Sequence, residues 1–266
     1  MGRMSEFPQT IADRAIIHLA GPDARSLLQR VVTGDAQAVA PDRIIPSALL
    51  TPQGKILADF LMHEAPDGLY LDVFAEAADA LVKRLGLYRL RADVAISRRE
   101  DLSALWLGWA FPGGAPDPRD PAIGWRGVGP ADGEVVSLDA VEINAGIPAF
   151  GRDYGEAEVF PTDVNLDLQD GVAWSKGCYI GQEVVSRMKR RGTIRKRTLP
   201  VRLDAEAPAG AAIMAGGSTL GAVTSVRAPR ALALIRLDRW EKADGPVEID
   251  GQAAEILRPD WLEETV

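Results

Sequence analysis

The chain alternates between short apolar runs and turn-forming clusters. Ala15–Ala20 is an apolar, strand-like run closed by Gly21-Pro22-Asp23. Beyond it Leu27, Leu28 and Val31 recur at helical spacing until Thr33-Gly34-Asp35, which predicts a strand followed by a helix. Pro22 is suited to the first helical turn, where its missing N–H would have no partner. Ser47–Leu50 and Ile56–His63 read as paired strands around the tight turn Thr51-Pro52-Gln53-Gly54, and Leu69–Phe74 as a third strand. Glu76–Leu90 is the best helix of this stretch, with Ala78, Leu81, Val82, Leu85 and Tyr88 on one face. Val94–Ser97 and Leu105–Phe111 follow as strands, Phe111–Arg119 as a loop and Ser137–Asn144 as a short helix. Phe150–Asp167 has no clear period.

From about residue 198 the pattern changes. Leu199–Leu203, Ala211–Met214, Ala222–Val226, Leu232–Arg236, Val247–Ile249 and Ala253–Leu257 are β-like runs separated by Gly, Pro and Asp turns. Even spacing of short strands predicts a small barrel. Strands, a helix and more strands before it predict an antiparallel sheet with helices on one side, an α+β class.

Composition narrows the function. The chain has 266 residues and a net charge of −8, so nucleic acid is a poor default partner and direct nucleic-acid binding is not expected. There is one cysteine, Cys178, which excludes an intrachain disulfide and a four-thiolate metal site. His18 and His63 have no ligand partner at metal spacing. No apolar run is long enough to span a bilayer, so no membrane partner is expected. Met1–Thr10 lacks the apolar core of a signal peptide, and with the lone thiol this gives the expectation of a cytosolic, reducing compartment.

The most unusual stretch runs from Trp174 to Glu183, where Gly177 and Gly181 bracket Cys178. A helix from Ile180 onward would bury Val184, Val185 and Met188 and point amide N–H groups at nearby anions. A free thiol titrates near 8.5, and Lys176 together with a helix start would lower that value and activate Cys178. The alternative is a cysteine buried as a small hydrophobe. Directly downstream, Arg187 to Arg197 contains seven basic residues and no acidic one, against the balance of the chain. It reads either as a solvated linker or as an anion site for a small polyanion.

The run Lys176-Gly177-Cys178-Tyr179-Ile180-Gly181-Gln182-Glu183 resembles the signature of the YgfZ family of folate-binding proteins, related to the aminomethyltransferase (T-protein) of glycine cleavage. Leu19–Ala24, Leu50–Ile56, Ala145–Pro148 and Phe160–Asp167 are similar to other segments of that family. The resemblance implies an α+β, three-domain cloverleaf: two ferredoxin-like domains and a C-terminal β-barrel around a central cavity. One domain would comprise residues 1–45 and 138–197, an inserted one 46–137, and the barrel 198–266.

It further implies a tetrahydrofolate-binding factor that supports assembly or repair of [4Fe–4S] proteins, with an indirect effect on tRNA modification and no permanent metal. Its partners would be folate and iron–sulfur client proteins or the assembly machinery. Cys178 and Lys176 would be the reactive positions, and Tyr179, Gln182, Glu183, Arg191 and Arg197 would bind the cofactor. Two alternatives stay open, a folate-dependent aminomethyltransferase and an RNA-binding module. The T-protein acid is expected just after the third strand; within Val73–Leu81 the match point is apolar and Asp79 is offset, which disfavours aminomethyl transfer. Glu142-Ile143-Asn144 stands where relatives carry Arg-x-Glu, and Asp163 where Glu is common.

Overall fold

The computed structural model describes residues 7–192 and 194–263. Met1–Glu6 of the polar start and Thr193 of the basic run lie outside the described residues. Strands β1 (Gln9–Ile11) and β2 (Arg14–Ala20) precede helix α1 (Ala24–Val31). The hairpin β3 (Ile45–Leu50) and β4 (Ile56–Ala65), strand β5 (Gly68–Phe74) and helix α2 (Ala78–Arg89) follow. Next come β6 (Ala95–Arg99), β7 (Leu102–Leu107), β8 (Gly114–Pro116), β9 (Trp125–Pro130), β10 (Val135–Val136) and helix α3 (Asp139–Ala145). Helix α4 (Gln182–Arg190) leads to β11 (Lys196–Arg202), β12 (Ala212–Ala215), β13 (Ser218–Arg227), β14 (Arg230–Arg236) and α5 (Leu237–Trp240). The described chain ends with β15 (Val247–Ile249), β16 (Gln252–Ile256) and α6 (Asp260–Glu263).

An antiparallel sheet has the order β3-β4-β5-β2-β6. Ala15, Ile17 and Leu19 of β2 and Leu69, Leu71 and Val73 of β5 pack with Leu27, Leu28, Leu81 and Leu85 of α1 and α2. The other face meets a second sheet, β10-β1-β7-β9-β8, through Ile16 against Ile11 and Ala104 and through Leu61 against Ala115. Covered on both faces, β2 is apolar over residues 15–20 except at His18 and shows no alternation. Both sheets draw strands from either side of residue 45: β2 sits between β5 and β6, and β1 between β7 and β10.

The stretch Phe111–Arg119, expected as a loop, contains β8, and β9 lies where no strand is expected. The reason is a ring on glycines. A Cβ on Gly114 would lie 2.6 Å from the Phe111 ring and one on Gly127 3.0 Å from it, so these strands lack the side chains that mark a strand in sequence. The barrel is closed in the order β11-β14-β13-β12-β15-β16, around Leu199, Val201, Ile213, Val223, Ile235 and Ile249. All six expected runs fall on its strands.

A chain of buried charges crosses the junctions between these layers. Asp72 of β5 accepts from Arg14 Nε at 2.5 Å and from Arg126 Nη1 at 2.6 Å, across the two sheets. Arg126 Nε donates to Asp117 at 2.7 Å, and Arg119 joins Asp117 to Glu142 of α3 at 2.9 and 2.8 Å. Arg152 continues from Glu142 (3.0 Å) to Asp153 (2.8 Å), and Asp153 accepts from Thr224 and Ser225 of barrel strand β13 at 2.7 and 2.6 Å. Burial alone would raise the carboxyls of Asp72, Asp117 and Glu142. The guanidinium groups beside them outweigh it and hold all three below the ordinary carboxylate range. Glu142 thus holds ion pairs with both Arg119 and Arg152.

Candidate functional site

The signature loop is fixed from below. Thr33, just after α1, donates its hydroxyl to the Gly171 carbonyl (2.6 Å) and its own carbonyl accepts from Ala173 N (2.9 Å). Ala48 N of β3 donates to the same hydroxyl at 2.9 Å, so one threonine stitches the incoming segment to the sheet. Lys176 Nζ then donates to the carbonyls of Val32 and Gly34, both at 2.6 Å. Tyr179 is buried among Ala48, Leu50, Ile56 and Val185. Gly181 has φ +77°, and a Cβ there would lie 2.6 Å from the Thr51 carbonyl of the β3–β4 turn. That conformation and that contact both require glycine.

Between these anchors Ser175, Gly177 and Cys178 are exposed. Nothing lies within 4 Å of a Cβ built on Gly177, so the fold itself leaves that side of the loop open. The alternative of a buried, inert cysteine is thus excluded by its exposure. In sequence Lys176 is the candidate for tuning the thiol. Its ammonium serves the two carbonyls after α1, and among the described residues it makes no hydrogen bond to Cys178. Burial lowers the Lys176 ammonium to about 8. It pushes the Tyr179 phenol up to about 12, and that hydroxyl has no hydrogen-bond partner among the described residues. Helix α4 begins at Gln182 with Gly181 as its cap, later than the expected start at Ile180.

The other expected site residues separate. Gln182 opens α4, and exposed Glu183 pairs with Arg187 at 2.7 Å along the same helix. Lys189 Nζ lies 4.0 Å from the centre of the Trp174 ring. Arg191 is exposed at the end of α4. Arg197 is not available to an anion: it is 2 % exposed, grips Asp167 through both nitrogens at 2.6 and 3.0 Å, and donates to the Thr162 carbonyl at 2.9 Å. The rest of the basic run, Arg187, Lys189, Arg190, Arg191, Arg195 and Lys196, is exposed.

Two features escaped the sequence. A cavity of about 470 Å³ opens between α3, the Asn165 turn and the barrel, lined by Asn144, Asn165, Gln169, Arg230, Arg258 and Trp261 among others. Asn165 is buried at φ +62°; its Nδ2 donates to Thr198 O at 2.7 Å and its Oδ1 has no partner among the described residues. None of Tyr179, Gln182, Glu183, Arg191 and Arg197 lines this cavity. The second feature is Asp59 of β4, in a small hollow with Arg14, Arg119 and Tyr154. Burial raises its carboxyl, and the Tyr154 hydroxyl, donating at 2.6 Å, offsets only part of that effect. The neighbourhood where the T-protein acid was sought holds none in the interior: the Asp79 side chain is 73 % exposed, 3.6 Å from Arg98.

This architecture, a mixed α+β body with a closed six-stranded C-terminal barrel, is the fold of the glycine-cleavage aminomethyltransferases. The crystal structure of glycine cleavage system aminomethyltransferase T from Bartonella henselae superposes with a TM-score of 0.75 over 94 % of this chain and 84 % of that one, at 18 % identity. Residues 195–264 match the family described as CAF17, C-terminal beta-barrel domain. The chain is homologous to proteins named iron-sulfur cluster assembly factor IBA57. It is 31 % identical to the Phaeosphaeria nodorum homolog over 72 % of this chain and 54 % of that protein. It is 29 % identical to the Homo sapiens protein over 93 % and 83 % respectively. The chain thus spans little more than half of the fungal relatives it matches, 54 % and 56 % in the Phaeosphaeria nodorum and Mycosarcoma maydis proteins. All of these relatives are named as mitochondrial proteins. That overturns the expectation of a cytosolic protein.

Proposed function

We propose that this protein is a tetrahydrofolate-binding factor that supports assembly or repair of [4Fe–4S] proteins, in concert with the iron–sulfur assembly machinery. The observation that carries the reading is the presentation of Cys178. A loop pinned at Thr33, Lys176, Tyr179 and Gly181 holds the chain's one thiol at the surface, beside a Gly177 that the fold leaves uncrowded. A rigidly held, accessible thiolate can bind iron of a cluster in transit as a passing ligand. The relatives named as iron–sulfur assembly factors support the same reading.

The residues present fit a reduced folate, in the large cavity rather than at the signature. Its volume is within the usual range for a small-molecule site. The unpaired Oδ1 of Asn165 would accept a hydrogen from the pterin, and Arg230 and Arg258 would face the glutamate carboxylates. Bound there, folate would supply a one-carbon carrier or a structural wedge between body and barrel.

Depletion of the protein should lower the activity of [4Fe–4S] enzymes under oxidative stress, and the wild-type gene should restore it. Full restoration by Cys178→Ala would remove the thiol from the mechanism. Calorimetric titration with mono- and polyglutamyl tetrahydrofolate should give saturable heat that Arg258→Ala weakens. An absence of heat removes the folate from the reading.

Asp59 favours a second reading, folate-dependent aminomethyl transfer. A buried carboxyl held above its ordinary range is suited to acid–base work. Ammonia released from an aminomethyl-loaded lipoyl carrier plus tetrahydrofolate, and lost in Asp59→Asn, would establish that activity.

A further inference from the structure

The end of α2 exposes apolar surface that the fold does not use. Leu87 and Leu90 are 75 % and 86 % exposed, the highest values among the large apolar residues described. Beside them lies a groove of about 650 Å³ lined by Asp23, Arg30, Tyr88, Arg89, Leu90 and Arg91, among others. Among the described residues no carboxylate pairs with Arg30, Arg89 or Arg91. Arg89 donates only to the Val94 carbonyl, at 3.4 Å. Gly86 lies inside α2 one turn before Leu90, and a Cβ built there meets nothing within 4 Å. Glycine weakens a helix, and here no neighbour within the chain requires it. Leu90 itself sits at φ +47°, a conformation that disfavours leucine.

We propose that this end of α2 is a docking surface for an acidic amphipathic helix of a partner protein. An apolar stripe on that helix would cover Leu87 and Leu90, and Gly86 would let its backbone come close. Its carboxylates would pair with Arg30, Arg89 and Arg91. The charge arrangement selects this partner. A second copy of the chain does not supply such a helix: among the described helices of eight residues or more, α1 has no acidic residue, α2 has Asp79 alone and α4 has Glu183 alone. Attachment to anionic lipid uses clusters of about 4–8 basic residues. Here the groove offers three arginines, fewer than such a cluster, beside the exposed Leu87 and Leu90. The surface is independent of the signature loop and of the folate cavity.

The test uses the full chain and a labelled helical peptide of about 18 residues, roughly five turns, built from Leu and Glu at amphipathic spacing. Fluorescence anisotropy should show binding that weakens with salt. A Leu/Lys peptide of the same pattern should not bind. Arg89→Glu/Arg91→Glu and Leu87→Ser/Leu90→Asn should each weaken binding at least about tenfold, a loss of about 1.4 kcal/mol. Gly86→Ala controls for folding: it should raise the thermal midpoint while weakening the complex. Equal binding of both peptides, or binding unchanged in all three variants, overturns the proposal. So does binding to phosphatidylserine vesicles in place of the acidic peptide, or self-association that the same variants abolish.

Discussion

Replacing Arg126 by methionine removes the cation that joins the two sheets. Asp72 loses its 2.6 Å partner and Asp117 its 2.7 Å partner, while both stay in the interior. Removing one member of a buried pair costs about 3–5 kcal/mol, because the remaining charge is stranded. Two carboxylates are stranded here, but Arg14 and Arg119 still reach them, so we expect the lower part of that range. Tryptophan fluorescence in urea gives the readout, with Trp125 next to the altered residue. At a slope of about 2–3 kcal/mol per M, the midpoint should fall by about 1–2 M at pH 7. The sign of the pH dependence is also fixed. In the wild type Asp72 and Asp117 are held below their unfolded values, so their contribution is present above about pH 4 and lost as pH falls further. In the variant the same carboxyls rise and take up protons as pH falls from 7, which relieves the stranded charge. The gap between the two proteins should therefore narrow from pH 7 to 5, and Asp72→Asn with Asp117→Asn added to the variant should recover part of the loss. A loss under about 1 kcal/mol at pH 7, or a gap of constant size across that window, would falsify the claim that this arginine neutralises the junction.

Three further outcomes follow from the signature loop. Lys176 is lowered from its unfolded value of 10.5 to about 8 by burial, so the unfolded chain binds the extra proton between those values and stability should rise with pH from about 8 to 10.5; Lys176→Met should flatten that rise in urea midpoints. Gly181→Ala should cost more than about 1 kcal/mol, since its φ is +77° and the new Cβ meets backbone; an unchanged thermal midpoint would show that the loop is not held at that point. Cys178 should react with an aromatic disulfide reagent in the native protein as completely as in denaturant, and protection of the native thiol would contradict its exposure.

The local elements were legible because burial on one face leaves a period in the sequence. The hairpin at Thr51–Gly54, the third strand, α2 and the six barrel strands were all visible in that way. β8 and β9 were not, because Gly114 and Gly127 accommodate the Phe111 ring and carry no side chain of their own to display a period. The charge chain was not legible either. Arg14, Asp72, Asp117, Glu142 and Asp153 are far apart along the chain, and each alone reads as a surface charge. The signature revealed that something is held at Cys178, but the division of labour within it needed the fold. Lys176, the natural candidate for activating the thiol, is recruited by two carbonyls from a segment more than a hundred residues earlier. Arg197 looked like the end of a basic patch only because Asp167, its partner, lies across an intervening helix.

The barrel has no free edge, but the two five-stranded sheets do, and β6 lies at an edge of one of them. A strand with unpaired amides on one side can recruit a strand from another molecule. β6 carries Arg98 and Arg99, each paired with acids of its own neighbourhood, Glu100 at 2.9 Å and Asp101 at 2.6 Å. Exposed pairs of this kind add little to the free energy of folding. Their value is in concentrated solution, where they set how long the protein remains dispersed. Arg98→Val/Arg99→Val should leave the urea midpoint almost unmoved and shorten the lag before light scattering rises.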